Sequence, residues 1–198
     1  RTNNTSDFIG FVLKRDSVFG YGLFLLVRML CLLGRFPGIR RILRDDQLRR
    51  RQISLLKGCS IVRLRELAGQ YVEMLSSQGL LNRRIVDAMG KERERGSVVL
   101  FVSAAIDPPI AALAERFGIA EFFSSELETA NGVCTGRLKS DLLGRKQVVL
   151  EKLAVGEDGG DSSVYSDNPE DAAFMEHFAR SASTRHIRRA TVVFSTMC

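Results

Sequence analysis

The chain lacks the patterns that mark several common classes of protein. None of its four cysteines forms a C-x-x-C pair or shows the spacing of metal ligands. No secretory signal is recognisable, so we expect reduced thiols in a cytoplasmic protein. The two histidines, His177 and His186, stand alone, and no G-x-S-x-G sequence is present. These absences argue against a disulfide-stabilised secreted domain, a cysteine-rich zinc site and a nucleophilic serine.

An apolar run long enough to span a bilayer is also missing. The most apolar stretch, residues 18–33, has 16 residues and contains Arg28, whereas a membrane-spanning helix needs roughly 20. Residues 35–51 follow with seven arginines and two aspartates, a surplus of five positive charges. We therefore expect a buried or membrane-lying helix rather than a transmembrane one. The arginine block fits either a solvated helix face or contact with phosphates or anionic lipid.

With 198 residues, of which 45% are hydrophobic, the chain can bury a core as one domain or as a domain with an insertion. Residues 18–90 show helical spacing and no strand pattern, whereas strands and helices alternate afterwards. The predicted elements of the second part are a strand at 98–102, a helix at 107–117, a strand at 119–124, a hairpin at 126–138 around Asn131-Gly132, a helix at 144–153 and a short strand before residue 167. The continuous apolar run at 98–102 is typical of a strand buried on both faces of a parallel sheet.

The pattern predicts an α/β fold, with a Rossmann-like parallel sheet as core and an inserted all-helical cap domain. The predicted division is 1–16 as the start of the core, 17–90 as the helical cap and 91–198 as the α/β core. The run at 191–194 is predicted to be a last strand at the edge of the sheet.

Two polar residues follow or begin predicted elements of the core. Ser103 ends the strand at 98–102, where a hydroxyl beside free backbone N–H groups can hold a phosphate oxygen or can cap the next helix. Lys146 begins a helix, where the helix dipole mildly disfavours a cation. It either points into solvent or turns toward the sheet edge, where it would neutralise phosphate and carboxylate charge.

An acidic turn follows the last predicted strand of the core. In the sequence VYSDNPED, Asn-Pro marks a turn and places Asp167 at the carboxyl end of a strand, with Asp171 four residues on. In α/β proteins ligands bind at that edge. Two carboxylates suit Mg²⁺, which keeps several waters and takes one or two protein carboxylates. A solvated, capped turn is the alternative interpretation.

The order Ser103, Lys146, Asp167/Asp171 resembles the second, third and fourth motifs of the haloacid dehalogenase (HAD) superfamily, in its phosphoserine-phosphatase-like branch. VVLFVSAAIDPPI resembles the strand that ends in Ser or Thr, GRKQVVLEKL the lysine helix, and VYSDNPEDAAFME the acidic loop. SSELETANGVCTGRL resembles the hairpin of this branch. TSDFIGFVLKRDS resembles the segment after the first motif, and the helical region 18–90 matches the cap inserted there.

The resemblance implies a Mg²⁺-dependent phosphatase that forms and hydrolyses an aspartyl-phosphate. Ser103 would bind the phosphoryl oxygen and Lys146 would stabilise its charge. Asp167 would ligate Mg²⁺, and Asp171 would assist the metal or orient Lys146. The substrate would be a small phosphorylated metabolite, or a lipid-linked phosphate met at the membrane surface through residues 18–51.

The chain departs from the family at the first motif, D-x-D-G-T, which supplies the nucleophile and is absent from these residues. The family places that motif, and the central strand before it, ahead of Arg1. We expect either a fragment that lacks this strand or a non-catalytic relative, and the start on Arg1 favours the fragment. Without the strand we expect exposed sheet edges on its neighbours, and no covalent intermediate.

The alternative function is a catalytically inactive HAD-like module that binds a phosphorylated or anionic partner through its arginine-rich segment. Nucleic acid is not an expected partner, because the aromatic residues lie in apolar runs rather than among the arginines and form no stacking platform.

Overall fold

The computed structural model describes residues 4–33, 45–146, 148–149, 163–166 and 191–195. The helices are α1 (Asn4–Asp16), α2 (Val18–Leu33), α3 (Asp45–Ser54), α4 (Ile61–Ser77), α5 (Arg83–Glu94) and α6 (Asp107–Phe117). The strands are β1 (Val98–Ile106), β2 (Glu121–Ala130), β3 (Val133–Ser140), β4 (Ser163–Ser166) and β5 (Thr191–Ser195).

The chain divides into two compact units. The first comprises Arg1–Tyr71 with Glu126–Ser140, and the second comprises Val72–Ser125 with Asp141–Cys198. These cuts fall elsewhere than the predicted domain boundaries after residues 16 and 90, which stay predictions about the domains of the protein.

The second unit is built on a parallel sheet. β1 lies between β2 and β5, and β4 pairs with the other side of β5, all in parallel. From Val99 to Val102, β1 is buried at every position, as its unbroken apolar sequence predicts. Helices α5 and α6 cover the sheet through buried side chains such as Met89, Ile110 and Leu113. The predicted α/β fold with a Rossmann-like parallel sheet is confirmed.

Both ends of α6 carry local sequence signals that predict where the helix begins and ends. Pro108 and Pro109 occupy the first turn, where their missing N–H groups have no helical acceptor in any case. Gly118 ends the helix in the left-handed conformation, with φ of 61°. The predicted helix at 107–117 is therefore confirmed at both ends.

The position of β5 corrects one prediction. The run at 191–194 was expected at the sheet edge, but β5 is an interior strand: Phe194 pairs with Phe101 of β1 on one side and with Tyr165 of β4 on the other. The sequence of this strand, rich in β-branched and aromatic residues, favours strand formation. Because β5 covers the edges of both β1 and β4, the expected exposed edges between them are absent from the described sheet.

The first unit packs helices around aromatic side chains. Gly10 lets α1 and α2 approach closely, since a Cβ at that position would lie 2.7 Å from the Phe24 ring. Tyr71 of α4 meets the rings of Phe8 and Phe11 edge to face, at centroid distances of 5.5 and 5.2 Å. Among the described helices none is long and apolar enough to cross a membrane.

The predicted hairpin is also present, as β2 and β3. Its turn residues Asn131 and Gly132 have φ of 51° and 77°, the left-handed pair that a two-residue hairpin turn requires. The β2 segment from Glu126 onward pairs antiparallel with β3 within the first unit.

Candidate active site

Ser103 lies where the regular pairing of β1 ends. Val102 still pairs with Phe123 of β2, but the next pairing is Ile106 with Ser125, so the register slips across the residues between. β1 therefore runs to Ile106 rather than ending at Ser103 as predicted, while its regular ladder stops at the predicted place. Backbone groups freed from a ladder in this way need other partners.

The Ser103 side chain supplies one of those partners. It is 2% exposed, and its Oγ accepts a hydrogen bond from the Ala105 N–H at 3.1 Å. It does not cap α6, whose N-cap is Ile106. A hydroxyl that accepts one bond still carries its own proton, so Ser103 can donate to an oxygen placed at this end of the strand.

Ser125 ties the end of β1 to the loop that precedes Lys146. Its buried Oγ lies 2.9 Å from the Ala104 carbonyl oxygen and 3.1 Å from Oδ1 of Asp141, and donates its single proton to one of them. The same Oγ accepts the Leu142 N–H at 3.1 Å. Asp141 Oδ1 in turn accepts the Leu143 N–H at 3.0 Å. Loop and strand end are thus held together by one side chain.

Sequence reasoning missed both Ser125 and Asp141. An aspartate that accepts the backbone N–H two residues on forms an Asx turn, so the Asp141 turn was readable in principle. The long-range bonds of Ser125 have no local signature, because its partners lie 16 to 21 residues away in the chain.

Lys146 follows this loop and is buried, at 7% exposure. Gly144 turns the chain with φ of 68°, and the Val149 N–H bonds to the Lys146 carbonyl oxygen at 2.9 Å, which begins a helical turn. The sequence left open whether the lysine points into solvent, and its burial decides against that interpretation. A buried ammonium group needs polar or anionic surroundings.

The carboxyl ends of β1 and β4 lie at the same edge of the sheet. β4 ends at Ser166, paired with Ser195 of β5, while Phe101 of β1 pairs with Phe194. One strand separates β1 from β4, so Phe101 and Tyr165, which are level with each other, lie roughly 10 Å apart, two strand spacings. The residue after β4 in the sequence is Asp167.

The two predicted metal ligands, Asp167 and Asp171, lie outside the described residues, so their geometry stays a prediction. Within the ranges that the structure describes, no cluster of three or more His, Cys, Asp or Glu side chains could hold a metal ion. Of the four predicted site residues, the structure therefore places Ser103 and Lys146. Ser125 bonds to Ala104, the residue after Ser103, and to Leu142, in the loop before Lys146.

A buried carboxylate on α5 holds β4, and sequence reasoning missed this as well. Glu92 is 5% exposed and accepts hydrogen bonds from Ser97 Oγ at 2.9 Å, Arg95 Nη1 at 2.9 Å and the Tyr165 hydroxyl at 3.2 Å. The bond from Ser97 is the main cause that lowers the pKa of Glu92, against the effect of burial, with Tyr165 and Arg95 helping. Burial, followed by the bond to Glu92, raises the pKa of Tyr165.

This contact anchors the strand that leads into the acidic turn. Glu92 stands in the run KERER, which reads as a solvated helix end. Only the packing of α5 against the sheet distinguishes Glu92 from its exposed neighbours Arg93 and Glu94.

Solved structures share this architecture at low sequence identity. A Bordetella pertussis Tohama I protein of unknown function is 20% identical, with a TM-score of 0.68 over 94% of this chain and 91% of that one. A phosphoserine phosphatase solved as a phospho-aspartyl intermediate analogue is 18% identical, with a TM-score of 0.51 over 93% and 85%. A probable phosphoserine phosphatase from Vibrio cholerae is 16% identical, with a TM-score of 0.57; the match covers 97% of this chain but 53% of that protein.

At these identities the likeness shows the fold alone. No curated protein matches the chain in sequence. The family model of haloacid dehalogenase-like hydrolases matches residues 6–176, which is most of the chain. The predicted family is thereby confirmed: the chain belongs to the haloacid dehalogenase-like hydrolases.

Proposed function

We propose that the protein is a Mg²⁺-dependent phosphomonoester hydrolase whose reaction passes through an aspartyl-phosphate. The observation that carries the proposal is the buried Lys146, in a member of a hydrolase family, beside a loop bonded to the end of β1. The phospho-aspartyl chemistry is that of a structural neighbour, and its transfer to this chain is part of the proposal.

Ser103 orients the phosphoryl group in this proposal. Its hydroxyl oxygen accepts the Ala105 N–H at 3.1 Å, so the oxygen is held in one position from which its O–H can donate.

Lys146 stabilises the charge that develops on the phosphoryl oxygens. A cation in a buried position acts in a lower effective dielectric than one in water, and therefore stabilises a transition state more strongly. The turn at Gly144 and the loop before it set the position of Lys146. Ser125 holds that loop to β1 through its bonds to Ala104 and Leu142.

Asp167 and Asp171 are the residues that would hold Mg²⁺. The ion would supply charge neutralisation at the phosphoryl group. Two carboxylates with room for water fit the preferences of this ion, and the contact of Glu92 with Tyr165 holds the strand from which Asp167 follows.

The nucleophile is assigned to none of the 198 residues, because no Asp-x-Asp pair occurs among them. The 198-residue chain by itself is accordingly proposed not to form the covalent intermediate. The second candidate is an inactive module that binds a phosphorylated or anionic partner through the arginines at 35–51. It rests on the same absence of an Asp-x-Asp pair.

The test compares the 198-residue chain with the longest polypeptide that the gene encodes around it. Phosphate release is measured on p-nitrophenyl phosphate, phosphoserine and a lipid phosphate in detergent, with Mg²⁺ and with EDTA. We expect release only from a polypeptide that contains Asp-x-Asp, lost with EDTA and in Asp167→Asn. Asp158→Asn, in the polar stretch before β4, is the matched control and should stay active.

Release by the 198-residue chain would contradict the proposed lack of a nucleophile. If the encoded polypeptide contains Asp-x-Asp and releases no phosphate from any substrate, the phosphatase proposal fails. If the encoded polypeptide has no Asp-x-Asp, the inactive module becomes the function to test.

A further inference from the structure

One face of α2 exposes large apolar side chains. The exposed residues and their exposed fractions are Val18 (90%), Phe19 (85%), Leu23 (40%), Leu25 (43%), Leu26 (56%) and Met29 (61%). We call these six residues the α2 face. Contiguous exposed apolar surface of this kind marks an interaction site more often than scattered single residues do.

The α2 face is continuous and separate from the packed side of the helix. At 3.6 residues per turn its six residues fall within an arc of roughly 160°. Phe24 and Val27, which are 1% and 8% exposed, lie on the opposite side, and Phe24 fills the space that Gly10 leaves on α1. The packing of α1 against α2 therefore already uses the other side of the helix.

Cationic residues lie on the helix before α2 and on the next described helix after it. Lys14 and Arg15 are exposed at the end of α1, just before Val18 and Phe19. After α2 the sequence continues into the arginine-rich residues 35–51, the last of which lie on α3, a helix that packs against α2.

Two acidic groups near the face are paired with arginines. Asp7 lies 3.2 Å from Arg28 on α2, and Asp16 lies 3.1 Å from Arg63. These two carboxylates are thereby neutralised, while the chain as a whole has a formal net charge of +6.

We infer that the α2 face docks on the surface of a bilayer that contains anionic lipids. The helix would lie in the membrane plane, with its apolar face in the acyl boundary and the flanking cations at the lipid headgroups. A lipid surface fits better than a protein groove because the apolar arc is broad and both helices that pack against α2 carry cationic residues. This inference rests on the first unit alone and is independent of the proposed phosphatase chemistry.

The test is co-sedimentation of the chain with vesicles of phosphatidylcholine plus phosphatidylglycerol, and with vesicles of phosphatidylcholine alone. We expect binding to the mixed vesicles that weakens as salt is added, because the electrostatic attraction to the headgroups is screened. The double variant Phe19→Ser/Met29→Ser should lower binding by about tenfold or more, since two apolar side chains that would enter the membrane are lost.

Val62→Ser is the matched control, because Val62 on α4 is 61% exposed, the same fraction as Met29, but lies outside the α2 face. It should bind like the unchanged chain. Far-UV circular dichroism checks that each variant is folded, which is expected because the substituted side chains are exposed.

Three results would overturn the inference. One is an unchanged chain that binds neither kind of vesicle. The second is an equal loss of binding in the double variant and in Val62→Ser. The third is self-association of the chain, measured by light scattering, that is lost in the double variant while the unchanged chain binds no vesicles. The α2 face would then join two copies of the chain.

Discussion

The two compact units differ in which side chains break the usual rule of burial: polar ones are buried in the second unit, and apolar ones are exposed in the first. In the second unit, polar side chains are buried: Ser103, Ser125, Lys146 and Glu92 are each at most 7% exposed. In the first unit, apolar side chains of α2 face outward. A buried polar group and an exposed apolar patch are the two informative exceptions to the rule that apolar residues lie inside.

The difference indicates two kinds of task. Buried polar groups with fixed partners form a pre-organised site, where each hydrogen bond restricts a group to one geometry. An exposed apolar face has no such geometry and suits a non-directional contact, such as that with lipid. Chemistry is thereby proposed for the second unit and attachment for the first.

The largest expected effect comes from removing the buried cation of the second unit. In the polypeptide found active on phosphomonoesters, Lys146→Met should lower kcat by about 100-fold or more, because one charged transition-state donor is lost. Arg145→Met is the control, since Arg145 is the exposed neighbour in the same turn. Steady-state kinetics with near-equal activities of the two variants would remove Lys146 from the site.

The next effect concerns the packed side of α2. Gly10→Ala should destabilise the protein by about 1–3 kcal/mol, because its Cβ would overlap the buried Phe24 ring. Gly22→Ala on α2 meets no atom within 4 Å and should stabilise by about 0.5–1 kcal/mol through helix propensity. Urea unfolding of the two variants measures the contrast. A neutral Gly10→Ala would mean that the two helices are not held this closely.

A smaller effect is expected at the carboxylate that holds β4. Glu92→Gln should cost about 1–2 kcal/mol at neutral pH, because the amide cannot accept all the bonds that the carboxylate accepts. The pKa of Glu92 is lowered in the folded state. The stabilisation is therefore complete above the unfolded pKa of about 4.3, and is lost as the pH falls through the folded value.

Urea unfolding at several pH values measures this dependence, and the gap between the unchanged chain and Glu92→Gln should narrow below about pH 4. The exposed Glu94→Gln, on the same helix, is the control and should change little at either pH. A gap that is constant with pH would mean that the Glu92 carboxylate is not stabilised by its partners.

The smallest effect is expected from Tyr165→Phe, which removes one donor to Glu92 and keeps the ring. We expect a loss of about 0.5–1.5 kcal/mol, measured by the same unfolding experiment. In a double-mutant cycle with Glu92→Gln, the two losses should be non-additive, because the residues share one hydrogen bond. Additive losses would show that this bond contributes nothing to stability.

Local sequence patterns were sufficient to predict several of the helices, strands and turns. The apolar run of β1, the prolines and glycine that bound α6, and the Asn131-Gly132 turn each act through the backbone of their own segment. Such signals are independent of distant residues. The place where the regular pairing of β1 stops, just before Ser103, was likewise predicted from the local pattern.

The sequence by itself therefore determined the α/β class, the order of elements and two of the proposed site residues. Only the tertiary structure decided that β5 is interior, that Ser125 joins β1 to the Lys146 loop, that Glu92 is buried and that one side of α2 is exposed. Each of these depends on a partner far away in the chain. Periodicity reports which face of an element is apolar, but only the packed partners decide which face is covered.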